Sequence, residues 1–163
     1  MPADSRRWAL IEALVAKIQA AAGASYFYDL SGATTAVGTE ADSQRFESGL
    51  PVTIRVEEGD EAIVKPVLND TLRTAQLVLY VDIDVIETGD LSLPEAVNRV
   101  MVDVRRVIDT DQSLGGLASH VFVSSIEAPQ YHFAQQVRRG RVRLAVTVVY
   151  DWLKGTVTAP NWL

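Results

Sequence analysis

Few side chains in this 163-residue chain have the potential for chemistry: it has two histidines and no cysteine, and its carboxylates fall in short runs. Asp109 and Asp111 open the stretch DTDQSLGGLASH with the D-x-D spacing that begins a calcium loop. The rest of that loop fails. Its fifth position is Ser113, its sixth is Leu114 where a glycine belongs, and its twelfth is His120 where a bidentate Glu belongs. An architectural reading is stronger. Asp109 and Asp111 end a helix, and Leu114-Gly115-Gly116-Leu117 turns the chain into a strand, with a glycine at positive φ and both leucines anchored in the core.

Other constellations are weaker still. Asp82 and Asp84 alternate on a strand and so share a face, as a solvated sheet surface or as a surface that meets basic residues. Arg138, Arg139, Arg141 and Arg143 form the densest basic run, read either as a solvated turn and strand edge or as a contact patch. His120 and His132 have no third ligand at metal spacing. No serine stands in G-x-S-x-G, and neither a phosphate-cradling glycine loop nor a dinucleotide fingerprint is present. The expectation is a protein that is not an enzyme and uses no cofactor or metal.

The elements that must position these residues follow from periodicity. A first helix is expected from an N-cap at Asp4 or Ser5, with Trp8, Ile11, Val15, Ile18 and Ala22 as its apolar stripe and Gly23 as its stop. SYFYDL reads as a short aromatic strand. Residues 31–49 have no period and read as a long mobile loop. Val52, Ile54 and Val56 alternate with polar residues, and EEGDE supplies a hairpin turn at Gly59 with AIVKPVL returning beside the strand. Leu77, Leu79, Val81, Ile83 and Val85 form one face of the clearest strand, with Val78, Tyr80, Asp82 and Asp84 on the other. Ser92 and Glu95 have capping-box spacing around Pro94, opening a helix that buries Val97, Val100, Met101, Val104 and Ile108 and sends Arg99, Asp103, Arg105 and Arg106 mostly toward water. HVFVSSIEA and GRVRLAVTVVYDWL are the closing strands, followed by a tail at residues 154–163. The fold class is α+β: a mainly antiparallel sheet with an N-terminal helix and a second helix on one face, all in a single domain over residues 1–163.

Composition agrees with one folded domain. Hydrophobic residues make up 48 % and charged residues 22 %, enough for a sizeable core at this length. A formal charge of −6 argues against specific nucleic-acid binding. Basic residues precede an apolar N-terminal stretch, but Glu12, Lys17 and Gln19 interrupt it, and no run reaches the roughly 18 apolar residues of a membrane span. The chain is expected to be intracellular, with no membrane partner.

The helix ending VRRVIDTDQSLGGL, the strand after it and the closing strand ending VVYDW resemble the C-terminal half of tail terminator proteins of bacteriophages with long, non-contractile tails and their prophage relatives. The likeness covers residues 89–153, and the N-terminal elements fit the expected order. It implies a structural virion protein: a hexameric ring on the tail tube that stops tube polymerisation and presents the head-joining surface. It also implies assembly in the bacterial host cytoplasm and a location in the virion tail. The implied partners are other copies of the chain, the tail tube protein and a head–tail connector protein. A different connector or neck protein, or a small cytosolic enzyme or ligand-binding domain, are the alternatives. For the ring, the densest opposite charges are the expected interface: Glu57, Glu58, Asp60 and Glu61 at the hairpin tip against Arg138, Arg139 and Arg141 before the last strand.

Overall fold

A computed structural model describes residues 6–36, 51–66, 72–133 and 136–153. The order is α1 (Arg6–Gln19), β1 (Thr34–Ala36), β2 (Val52–Pro66), β3 (Leu72–Ile86), α2 (Leu93–Thr110), β4 (His120–Ile126), β5 (Gln130–Phe133) and β6 (Arg138–Leu153). The sheet runs β1-β2-β3-β6-β4, with β5 also on β6, and every pairing is antiparallel except β1 with β2. Both helices pack on one face, so the architecture is α+β in two layers.

Alternation builds the core. Ile54, Ile83 and Val142 face one another across β2, β3 and β6, as do Val56, Val81 and Leu144, and all six are buried under the helices. Leu10, Ile11, Leu14, Val15 and Ile18 of α1 and Leu93, Val97, Val100, Val104 and Ile108 of α2 close over them. Ser92 is the N-cap of α2, its hydroxyl accepting the Glu95 N–H at 3.4 Å, and Pro94 stands in the first turn where its missing N–H is harmless. Among the described residues no helix is long and apolar enough to cross a membrane.

Five local expectations are corrected. SYFYDL is not a strand: residues 25–28 form a turn and bends, and Ala21, not Ala22, enters the core. Residues 34–36 of the expected loop pair in parallel with β2, while 37–49 and the tail 154–163 lie outside the described residues. Three strands, not two, follow α2. Gly59 makes no hairpin turn. β2 runs straight through it, and between Glu58 and Glu61 three steps along β2 match two along β3, which is a β-bulge. The glycine is there for close approach: a Cβ would lie 2.7 Å from the Tyr80 ring and 2.8 Å from the Val78 carbonyl.

Candidate functional site

Asp82 and Asp84 sit at the centre of the sheet face away from the helices, with arginines beside them in register. Asp82 lies opposite Arg55 on β2 and Arg143 on β6, and Asp84 lies opposite Arg141. Arg143 grips Asp82 with Nε at 2.7 Å and a terminal nitrogen at 2.8 Å, and reaches Glu57 at 2.5 Å with its guanidinium 4.7 Å above the Tyr80 ring. Asp82 holds this arginine firmly protonated. Asp84 is 4 % exposed and lies between Arg139 at 3.2 Å and Arg141 at 3.0 Å. Burial raises its pKa above the usual carboxylate value, opposed by the two guanidiniums. The paired carboxylates are thus structural rungs between basic neighbours of the same subunit.

The ladder changes the expected ring interface. Arg139 and Arg141 are engaged by Asp84, and Arg138 lies 3.0 Å from Glu87 with its guanidinium 4.8 Å from the Phe133 ring. The acidic run is not gathered on a protruding tip, because the bulge deals it to both faces. Glu57 turns to Arg143, whereas Glu58 and Glu61 turn under the N-terminal end of α1, where Arg7 pairs with Glu58 and lies 3.9 Å from Glu61. Glu61 also accepts the buried Tyr150 hydroxyl; burial, then this bond, pushes the Tyr150 pKa up. Asp60 remains exposed. Charges expected to meet a neighbouring subunit are therefore mostly neutralised within their own.

The Leu-Gly-Gly-Leu turn is fully built. Leu114 (φ 49), Gly115 (φ 69) and Gly116 (φ 88) are all left-handed, with Leu114 buried and Leu117 partly buried. Asp111 is the C-cap of α2. Its carboxylate accepts the Ser113 N–H at 3.0 Å, the Ser113 hydroxyl at 2.8 Å and the Gly115 N–H at 3.1 Å, and also pairs with Lys17 of α1. Lys17, then Ser113, holds its pKa well below the usual carboxylate range. The Leu117 carbonyl accepts Arg6 at 2.7 Å, so the turn locks α1 to the end of α2. Asp109 is exposed on the last turn of α2 and takes no part. His120 and His132 are exposed, the former 5.4 Å from the Phe122 ring.

Asp103 was expected toward water and is instead completely buried. Its carboxylate accepts the Phe27 N–H at 2.9 and 3.1 Å and the Tyr28 N–H at 2.9 Å, satisfying donors of the segment that links α1 to β1. Arg106 donates to the Ser25 carbonyl and lies over Tyr26, and Arg99, tied to Glu95, lies 5.0 Å over Phe27. The sequence offered no signal, since Asp103 stands next to Val104 at the edge of the apolar stripe and its partners are 75 and 76 residues away.

Five large apolar side chains are exposed among the described residues. Ile126 is on β4, Phe133 on β5 and Val137 just before β6, while Phe27 and Val102 lie on the helical layer. Next to Tyr28, a groove is lined by Pro51, Val52, Val85, Ile86, Asp90 and Leu91. No protein-family model matches the chain, and no curated protein matches it.

Proposed function

We propose that this protein is the subunit of a hexameric ring that caps the tail tube of a long-tailed bacteriophage or prophage, ends tube growth and offers the surface for head joining. The observation that carries this reading is the placement of exposed apolar side chains. Ile126 and Phe133 lie on strands at a sheet edge that has no further strand partner among the described residues, and Phe27 and Val102 lie on the helical layer. A closed ring uses heterologous contacts and needs two different surfaces on each subunit. Exposed apolar residues beside an open strand edge are what a partner strand or a partner surface covers. In this reading the β4–β5 edge of one copy meets the helical layer of the next. The charge ladder keeps the remaining sheet face polar and rigid.

The test is native mass measurement followed by electron microscopy of the protein mixed with its tail tube. A hexameric mass and rings seated on tube ends are expected. A protein that stays monomeric at every concentration and leaves tube ends bare overturns the reading.

A further inference from the structure

We draw no further inference here: the strongest candidate, the groove next to Tyr28 where the start of β2, the end of β3 and the link into α2 meet, carries nothing because nothing in the structure shows what covers it.

Discussion

Replacing Asp103 with Ala removes the acceptor for two main-chain donors. Three contacts of 2.9–3.1 Å are lost, and the Phe27 and Tyr28 N–H groups are left without their partner in a part-buried site. A hydrogen bond to a charged group contributes about 1.5–3 kcal/mol, and an unsatisfied buried donor costs a similar amount. Two donors therefore set a loss of roughly 3–6 kcal/mol. Relief from burying the carboxylate, together with water entering the gap, reduces it to about 3 kcal/mol. For a chain of this size that is a fall of roughly 6–12 °C in melting temperature. Asp103→Asn keeps one acceptor oxygen and the shape, so about half that loss is expected. Urea unfolding with an unchanged slope gives the free energy, and hydrogen exchange at the Phe27 and Tyr28 amides locates it. A loss below about 1 kcal/mol for Asp103→Ala, with both amides still protected, refutes the claim that this carboxylate holds the segment.

Arg139→Glu places a carboxylate beside the buried Asp84, so it should destabilise the isolated subunit by about 2 kcal/mol in urea, whereas a role confined to subunit contacts leaves the unfolding curve in place. Asp111 is held below its ordinary pKa in the folded protein, so the unfolded chain binds its proton first. Stability from this group is present above the ordinary carboxylate range and is lost as pH falls toward the lowered folded value. Asp111→Asn should flatten the acid limb of a stability–pH profile, and an unchanged slope refutes the cap. Gly116→Val forces a β-branched residue to φ 88 and should cost more than about 1 kcal/mol, while added calcium should leave the melting temperature unmoved; a calcium-dependent rise would restore Asp109 and Asp111 as ligands. Gly59→Ala should cost about 1–3 kcal/mol by forcing Tyr80 off the bulge, measured in the same urea series.

The sequence by itself determined the elements whose periodicity is strong. The alternation of β3 and β6, the stripe and cap of α2 and the glycine turn after it are legible because each is a local pattern read against one core. The α+β class follows from their order. What tertiary structure alone decided is which charges meet. Nothing local distinguishes the bulge at Gly59 from a hairpin turn, since EEGDE suits both; the pairing of β2 with β3 along its whole length selects the bulge. That choice sends Glu57 to one face and Glu58 and Glu61 to the other. Register then sets Asp82 and Asp84 beside Arg143 and Arg141, some sixty residues away in the chain, and turns an expected subunit contact into an internal ladder. Asp103 is the sharpest case. A carboxylate at the edge of a helical stripe reads as solvated until the fold brings two distant N–H groups to it, because only a partner in space makes its burial tolerable.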